Sequence, residues 1–302
     1  MADLISVVVS TYNREDALDA VLRSLSRQTD RCFEIVVADD GSEAATSRVV
    51  ENWSHIPVAL KHVRHEDRGF RLAEIRNRAI LASAGSYCIF LDGDCLARAD
   101  FVAAHRRLAE PGCFVTGNRV QLSQKLSDRI LAEGLEAETW RSGRWAAQRV
   151  QGDVNRFLPL LRLPLGPLRK RVRRRWRGAQ GCNMAIFRRD IERVDGFDAV
   201  FSGWGREDSD MFVRLIRHGV RRKDGRHATT VLHLWHQQSD RSKLAANEEK
   251  LDLLLRSERV GASQGLSTLG EGTGPAHRFP EPNCHQAGSR ACAEVAEPRA
   301  LP

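Results

Sequence analysis

Two acidic signatures carry the chemistry of this chain: Asp92-Gly93-Asp94, and the nonapeptide Ser202-Gly203-Trp204-Gly205-Arg206-Glu207-Asp208-Ser209-Asp210. The first follows an apolar run, 87–91, that reads as a buried strand, so its two carboxylates stand at a strand end. Such a pair can hold a hard divalent cation through oxygen. The second packs small residues, an indole and three carboxylates into one short stretch ahead of a helical pattern. A carboxylate there can take a proton from a hydroxyl. Together they point to metal-dependent group transfer onto an alcohol.

Both signatures need a scaffold. Residues 4–10 and 33–38 are β-branched apolar runs and read as strands, with 57–63 and 87–91 completing a set of four. Between them, 15–28 places Ala17, Leu18, Val21, Leu22 and Leu25 on one face of a helix. A second helix is expected over 43–53 and a third over 71–83, closed by Gly85. Alternation of this kind implies an α/β fold, a parallel sheet with helices on both faces. In such sheets ligands bind at the carboxyl ends of the strands. Ser10-Thr11-Tyr12, Asp39-Asp40 and Asp92-Gly93-Asp94 all fall there. Beyond Gly117 the spacing predicts helix over 121–149, broken near Gly134 and Gly143. An extended segment is expected over 181–187, a helix over 206–218 and a strand over 229–235. From Gly261 onward 11 of 42 residues are Gly or Pro and periodicity is lost, so disorder is expected. The domain reading is 1–118 for a nucleotide-sugar-binding half, 119–257 for an acceptor and catalytic half, and 258–302 for the tail.

The 302 residues suit one large or two modest domains, and 42% hydrophobic with 28% charged is ordinary for a globular protein. No apolar run approaches the roughly 20 residues that span a bilayer. The run at 4–9 follows Asp3 with no basic region before it, which favours a first strand over a signal peptide. Seven cysteines, odd in number and without a C-x-x-C pair, argue against a disulfide framework or structural zinc and for a reducing cytoplasm. The net charge of +8 is local: eleven Lys/Arg and no acid lie between Val154 and Arg189, and 8 − 11 leaves −3 for the remainder. This concentration speaks against generic nucleic-acid binding.

Four motifs in order, Ser6 to Arg14, Val36-Val37-Ala38-Asp39-Asp40-Gly41-Ser42, the Asp92/Asp94 pair and Gly203-Trp204-Gly205-Arg206-Glu207-Asp208, resemble those of family-two inverting glycosyltransferases of GT-A fold. The G-W-G-x-E-D segment is also similar to β-1,4-galactosyltransferases and bacterial chondroitin-type polymerases. The resemblance covers about 4–254. It implies inverting transfer of a hexosyl or N-acetylhexosaminyl group from a nucleotide donor, with a UDP-sugar expected, to a hydroxyl of a surface glycan, lipopolysaccharide or other lipid-linked acceptor. It further implies that the end of strand one and Asp39 bind the nucleoside, that Asp94 coordinates a cation bridging the diphosphate, and that Glu207 and Asp208 bind the acceptor and supply the base. Without a Q-x-x-R-W signature, a single-addition enzyme is expected rather than a processive synthase.

On that basis Asp94 and Asp92 are assigned to Mn²⁺ or Mg²⁺, with Asp92 acting directly or through water or ribose contacts. Ser10 and Thr11 lie at the donor site. Arg14 either pairs with phosphate or is a solvated surface residue. Arg76, with Asn77, either lines the donor site or forms an ordinary helical salt bridge. Asp39 faces a uracil N–H or ribose hydroxyl, and Asp40 is placed to cap the next helix. Asp208 is the base and Glu207 orients the acceptor. A helix start favours negative charge at this position. Trp204 either stacks on the acceptor sugar or belongs to the core. The resemblance to galactosyltransferases makes His236, more than His233, a metal ligand, and imidazole favours Mn²⁺ over Mg²⁺. Gln180-Gly181-Cys182-Asn183-Met184 resembles the segment beneath the donor sugar: Gly181 lets the backbone approach, and Asn183 either bonds a sugar hydroxyl or is a satisfied buried amide.

Seven cations within 169–177, beside Leu158, Leu160, Leu161, Leu163, Leu165 and Leu168, suit either a solvated loop or peripheral contact with an anionic membrane, at the inner face if the protein is cytoplasmic. Two other functions compete. A nucleotidyltransferase would carry a Gly-rich basic loop near the N-terminus, which residues 10–16 lack. A non-catalytic protein binding nucleotide sugars or anionic surfaces has no need of both Asp94 and Asp208.

Overall fold

The computed structural model describes residues 3–269 and 277–278. Strands β1 (Ile5–Thr11), β2 (Phe33–Asp39), β3 (Leu60–Arg64) and β4 (Tyr87–Asp92) form a continuous parallel block of an eight-stranded sheet. Helices α1 (Glu15–Ser26), α2 (Ala44–Asn52) and α3 (Leu72–Ala82) connect them. After a short β5 (Cys95–Leu96) come α4 (Phe101–Leu108), β6 (Cys113–Thr116), β7 (Arg119–Gln121), α5 (Gln124–Glu133) and α6 (Ser142–Val150). The chain then forms β8 (Asn183–Phe187), α7 (Arg188–Arg193), α8 (Glu207–Arg217), β9 (Arg221–Asp224), β10 (Val231–His233), α9 (Leu244–Arg256), α10 (Leu266–Leu269) and β11 (His277–Arg278).

The sheet order is β11-β3-β2-β1-β4-β8-β6-β9, and a second sheet has the order β5-β10-β7. The large sheet is mixed, because β8 runs antiparallel to both β4 and β6. The four parallel strands behave as the sequence suggests: every residue of β1 and β2 is buried, as expected when helices cover both faces. Val7, Val9, Ile35, Val37 and Ile89 pack with Leu18, Val21 and Leu22 of α1 on one face. Val8, Val36, Cys88 and Phe90 pack with α3 and with Met211, Phe212 and Leu215 of α8 on the other. Helices α3 and α8, remote in sequence, therefore share a face, and their side chains meet above the sheet edge. With β2 on one side of β1 and β4 on the other, the crevice opens where their connections diverge.

Three segments depart from expectation. Gln121, the expected start of a helix, ends strand β7, and α5 begins at Gln124. Gly134 ends α5 in the left-handed conformation, φ 63°, but Gly143 lies inside α6; the break is the irregular stretch 134–141. Residues 258–269, placed in the disordered tail, are built into the body. Backbone N–H groups of Ser263 and Gln264 donate to the buried Asp198 carboxylate at 2.9 and 3.1 Å, and Leu266 is buried in the α3/α8 core. Low complexity was misleading here because the partners are side chains far back in the sequence. The rest of that tail lies outside the described residues, apart from β11.

The register between β1 and β4 pairs Ser10 with Asp92 and so sets the site. It is fixed at the opposite end by Gly85, whose N–H donates to Ser6 Oγ at 2.9 Å. A Cβ at Gly85 would lie 2.6 Å from the Ser6 backbone nitrogen. Overpacking of this kind costs about 1–3 kcal/mol, so Gly85→Ala should lower the urea unfolding midpoint by a corresponding amount. An unchanged midpoint would show that the β1/β4 junction yields.

Candidate active site

Apart from Asp39, Asn77 and Asn183, the candidate site residues of the sequence line one open cleft of about 1190 Å³ at the carboxyl ends of β1 and β4. Its floor is organised by Arg76. This α3 side chain is 1% exposed. Its Nε donates to Ser10 Oγ at 3.2 Å and its Nη2 to Asp92 Oδ1 at 3.0 Å, while Nη1 lies 3.5 Å from Glu207 Oε1. The face of Phe197 lies 5.4 Å from the guanidinium carbon. One cation thus ties β1, β4 and α8 together, and the choice left open between a donor-site residue and a helical salt bridge resolves into a long-range cluster. Asn77 takes no part: it is fully buried and exchanges hydrogen bonds with both backbone groups of Phe197.

The acidic helix start is reached through an unusual turn. Gly203, Gly205 and Arg206 have φ of 76°, 101° and 79°, a conformation natural for glycine and strained for arginine. It sets Trp204 in the cleft wall rather than the core, with the Arg241 guanidinium 4.5 Å from the ring centre. Asp208 faces the cleft and accepts a hydrogen bond from Gly181 N–H at 2.8 Å. A Cβ at Gly181 would lie 2.9 Å from Asp208 Cβ, so glycine is required for that approach. Glu207 behind it is pushed up to about 7, first by burial and then by the Asp208 charge, with Arg76 pulling the other way. Burial also raises Asp92, against Arg76 and with Asp94.

Asp94 stands apart from this network. Its Oδ2 is 3.6 Å from His233 Nε2 and 3.4 Å from His236 Nε2. His236 Nδ1 lies 2.6 Å from the Gln237 carbonyl, which can only accept, so Nδ1 is the donor there and Nε2 is the nitrogen turned to Asp94. Burial holds His233 below the ordinary imidazole value, which favours its neutral form. Cys95 completes a cluster of possible ligands with Asp94 and His233. A set of one carboxylate and two imidazoles fits Mn²⁺ better than Mg²⁺. The sequence ranked His236 above His233, whereas the fold brings in both. His233 arrives because β10 pairs with β5, placing His233 opposite Cys95, a pairing without local signal.

Two assignments are corrected. Asp39 does not line the cleft. It is fully buried, with Oδ1 accepting from Ser42 N–H at 2.7 Å and Oδ2 from His62 Nε2 at 2.9 Å. Burial alone would raise its carboxyl, but the bonds from His62 and Ser42 hold it below the usual range. Asp40 lines the cleft instead. It does not cap α2; its carboxylate accepts from His65 Nε2 at 2.6 Å and from the Arg71 N–H at the start of α3 at 2.9 Å. Asn183 is the satisfied amide, fully buried against His105 and the Thr229 carbonyl. Thr11 lines the cleft with a buried hydroxyl that has no hydrogen-bond partner among the described residues, and Arg14 pairs with Asp16 at 3.2 Å at its rim. Arg119 and Arg241, not singled out in the sequence, also line the cleft. Isolated arginines carry no motif.

The chain matches Glycosyl transferase family 2 over residues 6–194. It belongs to that family. A second match, to the N-terminal domain of galactosyltransferase, covers 168–237, the stretch containing Gly181, Trp204, Asp208 and His236. This family-2 chain is 34% identical over 231 residues to validoxylamine A glucosyltransferase of Streptomyces hygroscopicus subsp. limoneus, covering 72% of this chain and 49% of that one. It is 26% identical over 238 residues to chondroitin synthase of Escherichia coli, covering 72% and 33%. The chain therefore spans about half the length of the first relative and a third of the second. Its fold is similar to that of the mannosyltransferase PcManGT from Pyrobaculum calidifontis, solved with GDP-Man and Mn²⁺, with a TM-score of 0.54 at 19% identity over 91% of this chain and 66% of that one. The architecture is the GT-A fold.

The Glu207 environment has a measurable consequence. The folded chain keeps the Glu207 proton to about pH 7, whereas the reference value is 4.5. Between those values folding takes up a proton, so stability falls as pH rises through the window and levels off above it, by on the order of 3 kcal/mol. Glu207→Gln should therefore gain on the parent in unfolding free energy from pH 5 to 7 and hold a constant lead beyond, measured by urea titration without added metal. Parallel pH curves would remove the buried-carboxyl account.

Proposed function

We propose that this chain is a metal-dependent inverting glycosyltransferase, moving a sugar from a nucleoside diphosphate donor to an acceptor hydroxyl of a glycan or lipid-linked glycan. The observation that carries the reading is the convergence of two acidic groups on one cleft, which is lined both by Asp94 with His233 and His236 and by Asp208 at the start of α8.

The work divides among the chain's own residues. Ser10, Thr11 and Arg14 stand at the donor end, with the unpartnered Thr11 hydroxyl free to bond the nucleotide. Asp94, His233 and His236 are the ligands for Mn²⁺ or Mg²⁺. Such an ion, when bound, neutralises charge developing on the departing diphosphate. Arg76 holds Asp92 in place and is itself shielded from the ligand. Asp208 accepts the proton of the attacking hydroxyl, and Gly181 N–H fixes the carboxylate in the required orientation. Glu207 accepts a hydrogen bond from another acceptor hydroxyl. Trp204 gives the acceptor ring a flat apolar wall, once Arg241 moves from its face.

With Asp39 sealed behind His62, the residue-level case for uridine loses its carrier. A panel of UDP- and GDP-sugars with Mn²⁺, read by release of the nucleoside diphosphate, identifies the donor and tests the reading. Release from none of them, with or without acceptor glycans, would overturn it.

Two substitutions separate the roles. Asp94→Ala should abolish transfer and remove the Mn²⁺ dependence of donor binding in calorimetry; turnover that still follows Mn²⁺ would clear Asp94 of that role. Asp208→Asn preserves shape and should lower kcat by about 10²–10⁴-fold with donor affinity nearly unchanged. A variant within a few-fold of the parent would pass the base assignment to another carboxylate.

A further inference from the structure

The segment 158–177 takes no part in the chemistry above, yet it is built with care. Its inner cations are spent on holding it to the body. Arg169 is 7% exposed, and its Nη1 donates to the carbonyls of Asp224 and Arg226 at 2.7 and 2.9 Å. Lys170 pairs with Glu110 at 2.6 Å, and Arg162 with Asp100. From β9, the buried Arg222 reaches under the next turn and donates to the carbonyls of Arg175, Arg177 and Gly178 at 3.0 to 3.1 Å, while its own N–H donates to the Arg173 carbonyl at 3.0 Å.

The outer cations are left over. Arg171, Arg173, Arg174, Arg175 and Arg177 are exposed, and among the described residues none of them has an ion pair with an acid. Five like charges within seven residues repel one another, and a free loop would spread them. Here a buried arginine clamps the backbone and keeps them gathered. Close by in the same segment Leu158, Leu163 and Leu168 are 66%, 43% and 48% exposed.

We propose that residues 158–177 form a membrane-docking strap that binds the surface of an anionic lipid bilayer, arginines on lipid phosphates and leucines at the acyl boundary. Charge complementarity selects an anionic partner, and the exposed leucines select a bilayer over a nucleic acid, which offers no apolar layer. The strap runs directly into Ala179, Gln180 and Gly181, which line the cleft, so a glycan anchored in that surface reaches Asp208 without leaving it. This last consequence rests on the glycosyltransferase reading; bilayer binding itself does not.

The test uses the full chain and vesicles of phosphatidylcholine with or without about 30% phosphatidylglycerol, sedimented at low salt and at about 0.5 M salt, where surface charges are screened beyond a few ångströms. The parent should sediment with anionic vesicles only, and less at high salt. The Arg171→Ser, Arg173→Ser, Arg174→Ser, Arg175→Ser variant should lose at least about tenfold in partitioning, and a Leu158→Ser, Leu163→Ser, Leu168→Ser variant should bind at low salt but lose the salt-resistant fraction. Nucleotide release from donor alone should be the same in all three, which also shows that the variants fold. Equal sedimentation of the parent and the arginine variant overturns the proposal. So does retention of duplex DNA or RNA by a parent that ignores anionic vesicles. Neither result bears on sugar transfer, which is read separately.

Discussion

The site depends on one buried cation. Asp92 and Glu207 come from β4 and α8, and without Arg76 between them two carboxylates would be drawn into a poorly solvated floor with nothing to balance them. Desolvation of such groups is expensive, and removal of the balancing partner from a buried pair destabilises by about 3–5 kcal/mol. Arg76 is itself positioned by helix α3, whose apolar residues Ala73, Ile75, Ala79 and Ile80 are packed in the core. Asn77, the next residue, grips the backbone of Phe197, whose ring lies beside the guanidinium. Core packing and site electrostatics therefore share a helix.

That arrangement divides the acidic groups by task. Asp92 and Glu207 are bound to Arg76, whereas Asp94 lies beside His233 and His236 and Asp208 accepts from Gly181 N–H, both lining the cleft. Each signature thus contributes one carboxylate tied to Arg76 and one that is not. The incomplete ionisation of Glu207 is the residue of that compromise: Arg76 does not fully offset burial and the neighbouring Asp208 charge.

How far the sequence could be read follows from which interactions are local. The parallel strands were legible because β-branched runs need no distant context, and Asp92 to Asp94 declared themselves by following one. The turn at Gly203 to Arg206 was legible as a motif, though not its left-handed backbone at Arg206. Asp39 was misplaced because its seal, His62, sits on the neighbouring strand, and strand neighbours are decided by sheet order. Asn183 stayed open between two roles for the same reason, its partners being His105 on α4 and Thr229 before β10. His233 joined Asp94 through a three-stranded sheet assembled from widely separated pieces. In each case alternation told which residues are buried but not against what.

The packing of residues 258–269 changes how this chain can be cut. Composition suggests a shortened version ending near 257. Such a cut would empty the socket between Gly196 and Asn77, where Leu266 sits so close that a Cβ on Gly196 would lie 2.7 Å from its Cγ. It would also strip Asp198 of the two N–H donors supplied by Ser263 and Gln264. Asn77 adjoins Arg76, so the damage would begin one residue from the cation that organises the cleft. A cut that spares these contacts falls after Leu266.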